Sequence, residues 1–105
     1  PPVVEWLNPA QASLLARTGA VVIDVRLPAE FEQRAIRDAI NLPLYRLRED
    51  AVDRFDRNRK LIVYCNTGER SSAAAFILTR LGFDAYALQG GLQGMLRQQE
   101  KQQDA

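Results

Sequence analysis

The chain has 105 residues, of which 47% are apolar and 26% charged, the make-up of a single ordinary globular domain. Fourteen basic side chains against thirteen acidic ones leave a net charge of +1, too small to build a strong field for a polyanion. With no histidine and a single cysteine, Cys65, the chain cannot by itself form a Ser-His-Asp or Cys-His catalytic group, a histidine-ligated metal site, an internal disulfide or a paired-cysteine motif.

The elements alternate along the chain. Asn8-Pro9 reads as a helix N-cap followed by proline at the first helical position; Ala12, Leu15 and Ala16 share one face, and Gly19 stops the helix. Ala20 to Val25 is a β-branched run interrupted by a charge at Asp24, the pattern of a strand buried on both faces of a parallel sheet. Pro28 opens a short helix through Phe31, and Ile40 and Leu42 flank Asn41 as a short strand ended by Pro43. A helix is expected over 44–56, carried by Leu44, Leu47, Ala51 and Phe55. After the polar turn Asn58-Arg59-Lys60, Leu61 to Tyr64 forms a second apolar strand with Cys65 at its carboxyl end. Asn66 to Arg70 is expected as a loop. Ala74, Ile77, Leu78 and Leu81 then mark a helix closed by Gly82, Asp84 to Leu88 reads as a strand, and Gly90-Gly91 turns into a last helix with Leu92, Met95 and Leu96. The domain is expected to span 4–97, with 98–105 a polar tail that frays.

Strands alternating with helices predict an α/β fold, a parallel sheet with helices on both faces. No apolar run is long enough to span a membrane, and no signal peptide is visible. The lone cysteine fits a reducing cytoplasm. The chain begins Pro1-Pro2 without Met, as a segment cut from a longer protein would. The densest basic cluster, Arg54, Arg57, Arg59 and Lys60, is interrupted by Asp56 and reads as solvated surface, so no nucleic-acid partner is expected.

In parallel α/β sheets, ligands bind beyond the carboxyl ends of the strands, where Cys65 lies. The segment Cys65-Asn66-Thr67-Gly68-Glu69-Arg70-Ser71 joins a buried strand to a helix N-terminus, which offers unpaired N–H groups and a positive dipole end. Gly68 allows a tight turn that directs further N–H groups inward. Such donors favour the thiolate, so Cys65 is expected to have a lowered pKa, to be open to solvent and to serve as a nucleophile toward an anionic substrate, with the Arg70 charge nearby. The plainer reading is that Cys65 is a small buried hydrophobe, as many lone cysteines are. Ser71 and Ser72 read as caps, Asp24 as a polar strand end, and Tyr64 and Tyr86 as packing residues.

The chain resembles a single rhodanese-like domain. The resemblance is carried, in order, by Ile23-Asp24-Val25-Arg26, Glu30-Phe31, Ala39-Ile40-Asn41-Leu42-Pro43, Val63 to Ser71, Leu81-Gly82-Phe83 and Leu88-Gln89-Gly90-Gly91. It implies a sheet of about five strands and a sulfurtransferase cycle. The Cys65 thiolate takes sulfur from a donor such as thiosulfate and passes it from a persulfide to cyanide, a thiol or a partner's cysteine. No cofactor or metal is implied. Asn66, Thr67, Gly68, Glu69, Arg70 and Ser71 correspond to the substrate-binding loop, with Arg70 near the donor's negative charge; Asp24 and Arg26 correspond to supporting positions that organise the loops.

Loop length separates two chemistries of this resemblance. Sulfur-transferring members have six residues counted from the cysteine, as Cys65 to Arg70 does here, whereas related phosphatases and arsenate reductases have seven, sized for a tetrahedral oxyanion. The sequence departs from the family pattern at Arg34-Ala35-Ile36, at Asp38 where glycine is usual, and at Leu92 and Met95 where tryptophans are common. Asn66 and Thr67 stand where thiosulfate specialists carry basic residues, and Glu69 adds a negative charge, so the expected donor extends to protein or low-molecular-weight persulfides. Two other readings remain: a sensing or binding module fused to other domains, and a phosphatase or arsenate reductase. A redox switch would need an external thiol, since the chain has no resolving cysteine.

Overall fold

The computed structural model describes residues 3–104. Five strands and five helices alternate: β1 (Trp6–Leu7), α1 (Pro9–Arg17), β2 (Val21–Asp24), α2 (Pro28–Gln33), β3 (Ile40–Asn41), α3 (Leu44–Arg54), β4 (Lys60–Tyr64), α4 (Glu69–Arg80), β5 (Asp84–Leu88) and α5 (Gly91–Asp104). The sheet order is β1-β5-β4-β2-β3, and each pairing is parallel. All carboxyl ends therefore face one edge.

Residues of β2 and β4 point alternately to two cores, which is why both strands read as continuous apolar runs. Ile23, Leu61 and Val63 face the side that holds Leu47 and Ala51 of α3 and Ala74, Ala75 and Leu78 of α4. Ile62 and Tyr64 face the side that holds Ala12 of α1 and Leu92 and Met95 of α5, with Val22 packed against it. Leu92 and Met95 thus fill core positions. Ala85 and Ala87 of β5 belong to the α3–α4 core, and their small side chains let α4 approach closely.

Four differences from the expected elements have local causes. β1 was not anticipated: two residues carry no periodicity, and pairing with β5 makes them a strand, with the N–H of Gln89 donating to the carbonyl of Leu7 at 2.7 Å. α4 starts at Glu69, so Glu69 and Arg70 lie in its first turn and not in the loop; Gly68, at φ 132°, turns the chain directly into the helix. The polar segment expected to fray from Gln98 continues α5 to Asp104. Asp38 takes a left-handed backbone, φ 66°, a conformation that aspartate tolerates better than most residues.

The basic cluster is used locally. Arg57 donates to the carbonyl of Leu81 and Arg59 to that of Gly19, while Lys60 pairs with Asp84. Among the described residues, no helix is long and apolar enough to cross a membrane.

Candidate active site

Three strand-to-helix connections meet at the carboxyl edge. The one after β2 brings Asp24 and Arg26, the one after β4 brings Cys65, and the one after β5 brings Gly90-Gly91. The last supports the second. Leu92 N–H donates to the carbonyl of Cys65 at 2.8 Å, and Gln93 N–H to that of Asn66 at 3.3 Å. The first turn of α5 thus satisfies two loop carbonyls that would otherwise point at nothing. Gly91 has φ 58°, and a Cβ there would collide with both carbonyl oxygens. Gly91→Ala is therefore expected to cost about 2–4 kcal/mol, combining overpacking with left-handed strain. Urea denaturation reads this loss, and sulfur loading should fall with it.

Around Cys65 the donors converge on sulfur. Gly68 N–H reaches Sγ at 3.1 Å and Ser71 N–H at 3.4 Å. In the thiol form, S–H donates to Ser71 Oγ at 3.5 Å and the Ser71 hydroxyl donates to the Gly68 carbonyl at 3.1 Å. That carbonyl also accepts from Ser72 N–H, so on ionisation the hydroxyl can turn to the thiolate without leaving an acceptor bare. Burial pushes the thiol up. The Ser71 hydroxyl, with the N–H groups of Ser71, Gly68 and Thr67, outweighs it, and the net shift is below the ordinary thiol value. The expected lowered pKa thus has a geometric basis.

The expected exposure does not: Cys65 is only 2% exposed. The donors that stabilise the thiolate are the Ser71 hydroxyl and the backbone N–H groups of the loop and first helical turn, and surrounding sulfur with them encloses it. The same donors give a pH prediction. The folded protein holds the Cys65 proton less tightly than a free thiol, so the thiolate appears at lower pH than in the unfolded chain. Ser71→Ala removes the leading favourable donor and is expected to move the midpoint upward, as read by ultraviolet thiolate absorbance against pH. Sulfur loading at neutral pH should slow several-fold.

Asp24 and Arg26 form the floor. Asp24 is fully buried and Arg26 is 4% exposed. Arg26 Nη2 lies 2.7 Å from Asp24 Oδ2, and its Nε reaches both carboxylate oxygens at 3.1 Å. The remaining guanidinium donors go to Asn66 Oδ1 at 3.0 Å and the Arg34 carbonyl at 2.5 Å. Asn41 Nδ2 bridges the carbonyls of Asp24 and Arg26 at 3.0 Å each. The residue after Cys65 is thereby anchored to the β2 edge.

Glu30 on α2 was not identified as a site residue from sequence. Its Oε1 and Oε2 accept from Arg70 Nη1 and Nη2 at 2.6 and 3.0 Å, and Oε2 also accepts from Asn66 Nδ2 at 3.2 Å. Arg70, expected near the donor's charge, is engaged here with a carboxylate. The partners lie forty positions apart, beyond the reach of any local pattern. Trp6 was also missed; a Cβ at Gly68 would stand 3.6 Å from its ring. Thr67 and Glu69 are exposed at the rim. A cavity of about 670 Å³ lies elsewhere, lined by Ala16, Val21, Ile40 and Phe55 among others, so concavity alone does not mark the site.

A buried thiol cradled by loop N–H groups at the carboxyl edge of a parallel sheet accords with the family match. The rhodanese-like domain model matches residues 8–98. The chain belongs to the rhodanese-like family. It is 37% identical over 88 residues to a thiosulfate sulfurtransferase, GlpE, of Pseudomonas syringae, covering 83% of this chain and 82% of that protein. It is 38% identical over 71 residues to the thiosulfate sulfurtransferase PspE of Escherichia coli, covering 67% and 68%. Among solved structures, a rhodanese-related protein of Thermoplasma volcanium superposes with a TM-score of 0.82 at 32% identity, over 90% of this chain and 92% of that one. The rhodanese-like fold accounts for the fifth strand, which the pass along the sequence did not locate.

Proposed function

We propose that this rhodanese-like chain is a sulfurtransferase that carries sulfane sulfur on Cys65. The observation that carries the reading is the convergence of the Gly68 and Ser71 N–H groups on Sγ, where six residues run from Cys65 to Arg70 and Ser71 follows. The thiolate attacks the outer sulfur of a donor such as thiosulfate. The donor's S–S bond breaks, sulfite leaves with the electron pair, and Cys65 becomes a persulfide. An acceptor thiolate or cyanide then attacks the outer sulfur and returns the bonding pair to Sγ. The N–H groups of Glu69 and Arg70 belong to the first turn of α4, which has no intrahelical acceptor for them, so they remain available to the added sulfur. The donors around Sγ lower the thiol pKa, which eases loss of its proton without a general base and fits a chain without histidine.

Thiosulfate sulfurtransferases among the relatives support this activity, and the six-residue loop favours sulfur over a tetrahedral phosphate. Asn66, Thr67, Gly68, Glu69, Arg70 and Ser71 form the substrate-binding loop, with Asp24 and Arg26 supporting it. The partners are a small-molecule or protein persulfide donor and a thiol acceptor. A reducing cytoplasm suits a carrier that cycles between thiol and persulfide. Intact mass after incubation with thiosulfate, and separately with glutathione persulfide, tests the reading. A gain of one sulfur atom, removed by cyanide, is the expected result; no gain from either donor would overturn it.

A further inference from the structure

We propose that Glu30 sets the donor selectivity of the Cys65 site by occupying the Arg70 guanidinium, so that small dianionic donors bind weakly and low-charge sulfane donors are preferred. This rests on the sulfurtransferase reading.

Glu30 is held in place before it meets Arg70, because its Oε1 accepts the Leu27 N–H at 3.0 Å where α2 begins. From there its two oxygens take both terminal nitrogens of Arg70, the paired geometry that makes such contacts strong. The third acceptor contact, to Asn66, fixes the carboxylate against the residue that follows Cys65. Arg70 lies in the first turn of α4, whose N-terminus faces Sγ through the Gly68 and Ser71 N–H groups, and its guanidinium is the loop's own cation. The other guanidinium at this edge, Arg26, is committed to Asp24, Asn66 and the Arg34 carbonyl. Two cations, Arg26 and Arg70, are thus matched by two anions, Asp24 and Glu30, before Cys65 ionises. A dianion such as thiosulfate finds backbone N–H groups there and two guanidinium groups already paired with carboxylates.

The pairing also persists far below neutral pH. Arg70, then the Leu27 N–H, hold the Glu30 carboxyl down to about 2, against burial. Protonation therefore does not free Arg70 in the working range.

Steady-state transfer to cyanide tests the idea with two donors that break the same kind of bond and differ by one charge: thiosulfate, a dianion, and benzenethiosulfonate, a monoanion. In each, the Cys65 thiolate takes the terminal sulfur, and sulfite or benzenesulfinate leaves with the electron pair. Glu30→Gln removes one negative charge and keeps the side chain's shape. The KM for thiosulfate is expected to fall about tenfold and that for benzenethiosulfonate about threefold, because the gain scales with ligand charge; both gains should shrink as salt rises. KM values that stay level or rise together for the two donors would show that Glu30 only shapes the loop, and would overturn the proposal. Glu30→Ala repeats the test without a side chain able to hold Arg70.

Thiosulfate binding to the Cys65→Ser protein, with and without Glu30→Gln, separates this proposal from the reading beneath it. Tighter binding in the double variant supports the role of Glu30 even if Cys65 never takes sulfur, an outcome that sinks the sulfurtransferase reading instead. Equal binding overturns the role of Glu30.

Discussion

Cys65→Ser is expected to end sulfur loading, with the rate falling at least about 10³-fold, to background. The substitution keeps the shape of the site: an Oγ can accept the N–H groups of Gly68 and Ser71 that reach Sγ at 3.1 and 3.4 Å. It does not keep the chemistry. Those donors stabilise a thiolate that forms readily, whereas a hydroxyl needs a base to take its proton, and the chain has no histidine. Stability should change by about 1 kcal/mol or less, since the replacement is near-isosteric and its hydrogen bonds are retained. Intact mass with donor, beside a denaturation curve, checks both halves. Loading that persisted in the serine variant would place the carrier elsewhere.

Arg26→Ala is expected to destabilise the protein by about 3–5 kcal/mol, the cost of leaving one member of a buried ion pair without the other. Asp24 is fully buried and Arg26 is 4% exposed, so water cannot take over from the guanidinium. The Asp24 carboxylate would keep the Arg26 backbone N–H, at 2.9 Å, and the Tyr64 hydroxyl but no cation, and the Arg34 carbonyl and Asn66 Oδ1 would each lose a donor. Because Asn66 follows Cys65 directly, the loss should also reach the reactive loop, and loading should slow beyond what the unfolded fraction explains. Adding Asp24→Asn should recover part of the stability by removing the unpaired charge, though not the Asn66 anchor. Urea midpoints for the single and double variants measure the first effect, and loading rates under strongly native conditions the second. A cost near zero would mean that the loops organise without this pair.

Much of the site was legible in the chain because its signals are local. Asn8 and Gln11 form the N-cap of α1 through reciprocal hydrogen bonds of 2.8 and 2.9 Å. The apolar run before Cys65 becomes β4, and the glycine three residues on becomes the N-cap of α4. Each of these turns on neighbours within about four positions, the range over which periodicity and capping act. The placement of Cys65 at a strand's carboxyl end, beside helix N–H donors, follows from the same short stretch.

What lay outside that range needed the fold. β1 is a strand only because β5 lies beside it. Glu30 is a first-turn helix residue in sequence and becomes the partner of Arg70 only when α2 and α4 are brought to one edge. Gly91 reads as a turn, yet its lack of a Cβ matters because two carbonyls from another loop press against it. The Cys65 sulfur was expected at the surface and is buried, since the donors that lower its pKa are the atoms that cover it. The sequence by itself determined the order of the elements from α1 onward, the place of Cys65 at a strand's carboxyl end and its spacing to Gly68 and Arg70, because hydrophobic period, caps and glycine positions are written residue by residue. Only the tertiary structure decided which charges meet, what encloses the sulfur and which anions take up the Arg26 and Arg70 guanidinium groups, because those contacts join segments far apart in the chain and form when the sheet closes.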